Sequence, residues 1–91
     1  MVRPVHSERA MNQQAEALKE RTRRFALEVI ALVRTLAKTA EGDTIRRQLV
    51  GAATAVAANY RSACRSRSHD EFVARIGIVL EAADESELWL E

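Results

Sequence analysis

The sequence predicts an all-α protein that folds as an antiparallel up-down helical bundle. Apolar residues recur at alternating spacings of three and four residues over most of the chain, which is the pattern of helices with an apolar side. No segment alternates apolar and polar residues as a strand does, and only three glycines and one proline are present to form turns. A length of 91 residues corresponds to one small domain.

The first helix is predicted to begin at about Ala15 and to end before Gly42, which is expected to take the left-handed conformation that closes a helix. Residues 1–14 are polar and contain Pro4, so we expect a flexible N-terminal segment ahead of a bundle domain over residues 15–91. Two neighbouring apolar stripes follow the first helix: Leu18, Thr22, Phe25, Val29, Leu32 and Leu36, beside Ala26, Ile30, Val33, Ala37 and Ala40. A face of this width predicts contact with more than one partner.

The second helix is predicted to start at a cap formed by Asp43 or Thr44 and to extend to about Arg65. Its middle, GAATAVAA over residues 51–58, is nearly devoid of bulk, and small residues allow helix axes to approach closely. Asn59 lies on the inner side of this helix, where its amide must find a hydrogen-bond partner. We expect Asn59 to form a buried polar contact that fixes the helix register, or to belong to a helix-end site with Arg61.

The third helix begins with a capping-box signature, in which Ser68 is followed by Glu71. The Ser68 hydroxyl is expected to accept from the Glu71 backbone N–H, and the Glu71 carboxylate to accept from that of Ser68. An apolar stripe follows, formed by Phe72, Ile76, Val79, Ala83, Ser86 and Leu90, with Leu80, Leu88 and Trp89 outside it. Three helices with such wide apolar faces do not close well alone, so we expect a fourth helix missing from this sequence and association with other copies.

Charge is sorted along the chain, although the formal net charge is only +1. Residues 44–68 hold five arginines and no acid, and residues 76–91 hold five acids and no base. The five arginines are Arg46, Arg47, Arg61, Arg65 and Arg67. Arginine suits phosphate because its planar guanidinium donates two parallel hydrogen bonds, so these residues are candidates for binding RNA or a ribonucleoprotein. The alternative is a protein-binding scaffold in which Arg61 and Arg65 pair with the acids of the third helix or of another subunit.

Catalytic and metal-binding patterns are absent from the sequence. Cys64 is the only cysteine, and neither His6 nor His69 forms a spaced ligand set with it. None of the acids of the third helix belongs to a Glu-x-x-His pair, which di-iron bundles require. The sequence therefore predicts no enzymatic activity, no cofactor and no metal. It also contains no apolar run of about 18–20 residues that would span a membrane and no signal peptide, so we expect a cytoplasmic protein.

Several segments resemble the four-helix-bundle family of 23S rRNA-intervening-sequence proteins. The resemblance spans about residues 25–91 and lies in the order and spacing of Arg46-Arg47-Gln48-Leu49, the small run to Ala58-Asn59, Arg67-Ser68, Glu71-Phe72 and Glu85-Ser86-Glu87-Leu88. Two departures from the family pattern concern α-helical positions. The family's Asn-Ile-Ala-Glu-Gly segment is represented here by Asn59 and the more basic Tyr60-Arg61-Ser62-Ala63-Cys64, and Gly51 stands where many members have an arginine or another residue. We further expect the family's fourth helix, which normally follows the acidic third one, to be missing from this sequence.

The resemblance carries implications beyond the fold. The family consists of bacterial four-helix protomers that assemble into pentameric barrels, mostly without an established activity. A related branch is the accessory protein of diversity-generating retroelements, a basic pentamer that binds a reverse transcriptase and RNA. The resemblance therefore implies a homo-oligomer, a pentamer in particular, with RNA or a reverse-transcriptase-like protein as a partner.

Overall fold

The computed structural model describes the backbone of residues 5–91 and the side chains from Asn12 onward. Three helices follow one another: α1 is Val5–Val33, α2 is Ala40–Cys64 and α3 is His69–Leu90. Residues 5–91 contain no strand, so the all-α prediction is confirmed. Helix α2 packs against both other helices, whereas no Cα atom of α1 lies within 8 Å of one of α3 in the described part of the chain.

The helices alternate in direction, as predicted. At one end of the molecule, Val33 near the end of α1 and Leu49 near the start of α2 share an apolar cluster, against which Trp89 near the end of α3 packs. At the other end, Leu18 of α1 and Phe72 at the start of α3 border one cavity beside the end of α2. Helices α1 and α3 therefore run parallel to each other, and both are antiparallel to α2.

Helix α1 begins ten residues earlier than the sequence predicted. Val5 is its first residue, so most of the segment expected to be flexible, residues 5–14, is helical; residues 1–4 lie outside the described part of the chain. The low apolar content of this segment suggested disorder, but glutamate, arginine, alanine, methionine and glutamine are strong helix formers. Moreover, no glycine or proline interrupts the sequence between Pro4 and Gly42.

The turn between α1 and α2 differs from the prediction. Helix α1 ends at Val33, and the cap of α2 is Thr39, whose hydroxyl accepts a hydrogen bond from the Gly42 backbone N–H at 3.0 Å. Gly42 therefore lies inside the first turn of α2, with a negative φ, and neither Asp43 nor Thr44 caps the helix. The prediction was wrong because it treated Gly42 as the only available stop signal, whereas a threonine is a good N-cap without any glycine.

Arg46 closes the carboxyl end of α1. Its Nε donates to the Val33 carbonyl oxygen at 3.3 Å, and its Nη2 donates to those of Leu36 and Ala37 at 3.3 and 3.4 Å. Its Nη1 also pairs with the Asp43 carboxylate. The carbonyl oxygens of Val33 and Ala37 also accept from the backbone N–H groups of Leu36 and Thr39, so the Arg46 guanidinium adds a charged donor to carbonyls at and just beyond the end of α1.

The core lies along one side of α2. Its buried residues recur every three or four positions: Leu49, Ala52, Ala53, Val56, Tyr60 and Ala63. Ala26, Val29 and Val33 of α1 pack toward this side, as does Ala82 of α3, and Ala53 is 0% exposed. The small residues of α2 thus allow both α1 and α3 to pack closely against it, as the sequence predicted for the middle of α2.

We predict that Arg46→Ala lowers the free energy of unfolding by about 1–2 kcal/mol, because three carbonyls and Asp43 lose a charged donor at a partly exposed site. Chemical denaturation monitored by circular dichroism measures this loss. The control is Arg47→Ala at the adjacent position, where the side chain is exposed. Equal stability of the two variants would contradict the capping role of Arg46.

We also predict that Gly51→Ala raises the free energy of unfolding by about 0.5–1 kcal/mol, since alanine is the better residue in a helix interior. A Cβ at Gly51 would meet no atom within 4 Å, so the substitution costs nothing in packing. Gly42→Ala is the matched control, because its Cβ would clash with the Ala37 carbonyl oxygen. Thermal melts should show the two substitutions shifting Tm in opposite directions.

Candidate functional site

The side of α2 opposite its core carries arginines at both ends, and we call it the arginine face. Arg47, Gly51, Ala58, Arg61 and Arg65 are exposed and spaced so that they follow one line along the helix, with half-buried Thr54 among them. The residues in the middle of this face have small side chains, and those at its two ends are arginines. Arg61 and Arg65 lie one helical turn apart, which places two guanidinium groups side by side.

An open depression of about 600 Å³ adjoins the end of the arginine face, and we call it the turn pocket. Its lining consists of Ser62 from α2, Arg65 and Arg67 from the connecting turn, and Glu71 and Arg75 from α3. Three guanidinium groups therefore surround one hydroxyl and one carboxylate. This excess of positive charge favours an anion with several oxygen acceptors.

Internal contacts neutralise the only carboxylate of the turn pocket. The Glu71 Oε1 accepts from Arg75 Nε at 3.1 Å and lies 3.0 Å from Arg75 Nη2. Arg75 also donates to the Ser62 hydroxyl, which ties α3 to α2. Among the described side chains, neither Arg65 nor Arg67 pairs with a carboxylate. The ion pair with Arg75 neutralises the negative charge of Glu71, and the guanidinium groups of Arg65 and Arg67 are exposed to solvent.

The predicted capping box forms in a modified version. Ser68 is the N-cap of α3, and its hydroxyl accepts from the Glu71 backbone N–H at 3.1 Å, as expected. The Glu71 carboxylate, however, accepts from the backbone N–H of Arg67 at 3.3 Å rather than from that of Ser68. This contact reaches one residue further back and fixes the turn that presents Arg67.

Two of the sequence-predicted site residues lie away from the turn pocket. The Arg46 guanidinium donates to carbonyl oxygens at the end of α1, so it is already hydrogen-bonded within the fold. Arg47 is exposed at the opposite end of the arginine face from Arg61 and Arg65. The sequence could not distinguish the roles of Arg46 and Arg47, because only the fold determines which of the two contacts the carbonyl oxygens at the end of α1.

Asn59 makes a local contact. Its side-chain amide donates to the Ala55 carbonyl oxygen, one turn earlier in the same helix, at 2.9 Å, and the residue is half-buried. This bond satisfies an amide donor without a partner on another helix. Within the described residues, the helix register therefore does not depend on a hydrogen bond from this donor to α1 or α3.

The acids of α3 do not reach the arginine face. Glu81, Asp84 and Glu85 are exposed, and no ion pair joins them to Arg61 or Arg65 among the described side chains. The pairing between helices that the scaffold interpretation expected is therefore not formed within one protomer. Charge sorting leaves a basic surface on α2 and an acidic surface on α3.

Arg75 is the site residue that the sequence analysis missed. Its contact with Glu71 follows from a spacing of four residues on one helix, which is a recognised ion-pair spacing. Its contact with Ser62 depends on how α2 and α3 pack, and no sequence pattern marks it.

Neither a metal site nor a membrane-spanning helix is found among the described residues. The described residues hold no group of three or more histidine, cysteine, aspartate or glutamate side chains placed to bind a metal ion. None of the helices in the described region is both long enough and apolar enough to cross a membrane.

Tyr60 and Cys64 lie one turn apart at the core edge of α2. Burial raises the pKa of Tyr60 to about 12, and the neighbouring Cys64 thiol adds a smaller contribution in the same direction. The phenol therefore stays neutral throughout the physiological range and acts as part of the core rather than as a proton donor or acceptor.

Comparisons of the chain with protein-family models, with curated proteins and with solved structures gave no match.

We predict that the pKa of Tyr60 is about 12 in the folded protein, compared with its ordinary value of 10.0 in the unfolded chain. Because the folded pKa is raised, its contribution to stability is fully present below about pH 10 and is lost as the pH rises through the folded pKa. The chain has one tyrosine, so phenolate absorbance in native buffer and in denaturant reports both values. Tyr60→Phe should abolish the signal, and equal midpoints in both states would contradict the burial.

Proposed function

We propose that the protein is a non-enzymatic helical bundle of the rRNA-intervening-sequence type, self-associating, which binds RNA or a ribonucleoprotein through phosphate contacts of its arginine face. The observation that carries this proposal is the turn pocket, where Arg65 and Arg67 are exposed without carboxylate partners. Arg61 extends the same basic surface by one turn. Three other cavities of the described region are lined by Arg21, by no arginine, and by Arg34 with Arg46, which pairs with Asp43, so none of these three holds two arginines without carboxylate partners.

The pocket is organised for binding before a ligand arrives. The Arg75 contact with Ser62 holds α3 against α2, and the Glu71 contact with the Arg67 backbone holds the turn. Guanidinium groups on an ordered frame lose less conformational freedom on binding than groups on a free segment. The arginines also donate in fixed pairs, which matches two oxygens of one phosphate.

The family resemblance supports the choice of RNA over other polyanions. The segment that carries Arg61, Arg65 and Arg67 follows Asn59, as the corresponding segment does in the family pattern, and it is more basic here. The near-neutral net charge indicates that binding depends on a local patch rather than on the whole molecule.

A second candidate function is a protein-binding scaffold without a nucleic-acid role. Its support is exposed apolar surface on α3, where Val73, Leu80 and Leu88 are 54%, 62% and 60% exposed. Large apolar side chains at that exposure commonly mark contact surfaces. This candidate places the partner on α3, whereas the RNA proposal places it on α2 and the turn.

We predict that a structured RNA binds the protein with a steep salt dependence, measured by titration at about 50 and 200 mM salt. Each lost phosphate contact reduces the slope of log K against log salt by about 0.7–0.9. The Arg61→Ala/Arg65→Ala variant should therefore bind more weakly, with a slope lower by about 1.4–1.8.

The matched control is Arg23→Ala/Arg24→Ala, which removes the same charge from an exposed part of α1 where both arginines lie beside Glu20. Its slope should stay close to that of the unaltered protein. Equal losses in the two variants would assign binding to net charge alone. Absence of binding at the lower salt would reject the RNA proposal and leave the scaffold as the working function.

A further inference from the structure

The positive charge of the arginine face is concentrated at the end beside the turn pocket. Arg61 and Arg65 lie one helical turn apart, and Arg67 follows in the connecting turn. Between Arg47 and Arg61, the line of this face holds small uncharged residues and no cation. These two arginines are fourteen residues apart, which corresponds to a rise of about 21 Å along the helix. A nucleic-acid backbone lying along the face would therefore cross a long uncharged stretch, whereas a compact anionic group at one end would meet several guanidinium groups.

The lining of the turn pocket has a formal net charge of +2, since it holds three arginines and one glutamate. Arg75 has neighbours on two sides, because its Nε donates to Glu71 Oε1 at 3.1 Å and its Nη1 donates to the Ser62 hydroxyl. Arg65 and Arg67 are the arginines of this lining that lack a carboxylate partner among the described side chains. Two unpaired positive charges in one depression match an anion that carries two negative charges.

The phosphates of RNA differ in charge and in the number of oxygens they present. A phosphodiester within the chain has one negative charge and two non-bridging oxygens. A terminal phosphate monoester carries a charge of about −1.5 to −2 at pH 7 and presents three acceptor oxygens. Each guanidinium donates two parallel hydrogen bonds to a pair of oxygens, so two guanidinium groups can engage all three oxygens of a monoester. Charge and donor geometry therefore favour a terminal phosphate over an internal one.

The Ser62 hydroxyl supplies a further donor at the turn pocket. Its Oγ accepts a hydrogen bond from Arg75 Nη1, and it donates none to another described residue. A serine hydroxyl has one O–H to donate in addition to its acceptor sites, so this proton is available to an oxygen bound in the pocket. A neutral donor adds a hydrogen bond without changing the charge balance of the lining.

We propose that the turn pocket binds the terminal phosphate monoester of an RNA chain, and that Arg61 contacts the phosphodiester next to it. Arg65, Arg67 and the Ser62 hydroxyl donate to the oxygens of the terminal phosphate. Arg75 acts on the fold rather than on the ligand, because its contact with Ser62 holds α3 against α2. Since the depression is open, the RNA chain can leave it over Arg61, one turn away. This inference rests on the proposed function, because it specifies which part of the RNA the same site recognises.

The test compares Kd values of one structured RNA prepared with a 5′-phosphate, with a 3′-phosphate or with hydroxyl groups at both ends, at about 50 mM salt. One or both phosphorylated forms should bind about tenfold or more tightly than the hydroxyl form, because hydrogen bonds to a charged group are strong enough to give that factor. Equal Kd values for all three forms would overturn the terminal-phosphate proposal and leave RNA binding by the arginine face intact. Absence of binding by every form would reject both.

Two single substitutions separate the pocket from a general attraction to the added charge. Arg67→Ala should bring the ratio of the Kd values of the hydroxyl and phosphorylated forms close to one, and it keeps the backbone N–H that donates to Glu71. Arg61→Ala should weaken the binding of both forms by a similar factor and preserve their ratio. The control is Arg34→Ala, which removes an exposed arginine from the turn between α1 and α2 and should alter neither value. Circular dichroism verifies that each variant is folded.

Two further results would contradict the assignment of the turn pocket. An equal loss of preference in Arg61→Ala and Arg67→Ala would mean that the whole basic surface attracts the added charge. Inorganic phosphate that binds as tightly as the phosphorylated RNA would identify a site for the free ion instead of an RNA end. We expect inorganic phosphate to compete only at concentrations far above the Kd of the RNA, since the free ion lacks the contact with Arg61.

Discussion

The burial of one small-residue side of α2 between two helices is the contact on which the rest of the structure depends. Ala52, Ala53 and Val56 are nearly inaccessible, and they present little bulk, so α1 and α3 both approach α2 closely. Among the helices of residues 5–91, only α2 packs against two others, so its two remaining surfaces acquire distinct characters. The side between α1 and α3 becomes an apolar groove, and the opposite side becomes the arginine face.

The arginines show that the role of a charged residue is decided by the acceptors that the fold places near it. Arg46 meets three carbonyls at the end of α1, and Arg75 meets Glu71 and Ser62, so both stabilise connections between elements. Arg61 and Arg65 are exposed and form no ion pair with a carboxylate among the described residues. Those two groups therefore keep their hydrogen-bonding capacity for a ligand, whereas the first two have already used most of theirs.

Periodicity predicted the number of helices, their order and the inner side of α2, since burial follows the apolar spacing of Leu49, Val56 and Ala63. It did not predict helix ends, because Thr39 and Arg46 act through a side-chain hydroxyl and a contact thirteen residues away. The cap at Ser68 was predictable, since a capping box is local in sequence. Composition identified the candidate arginines, but the contact of Arg75 with Ser62 and those of Arg46 with the end of α1 depend on how the helices pack, so no sequence pattern marks them.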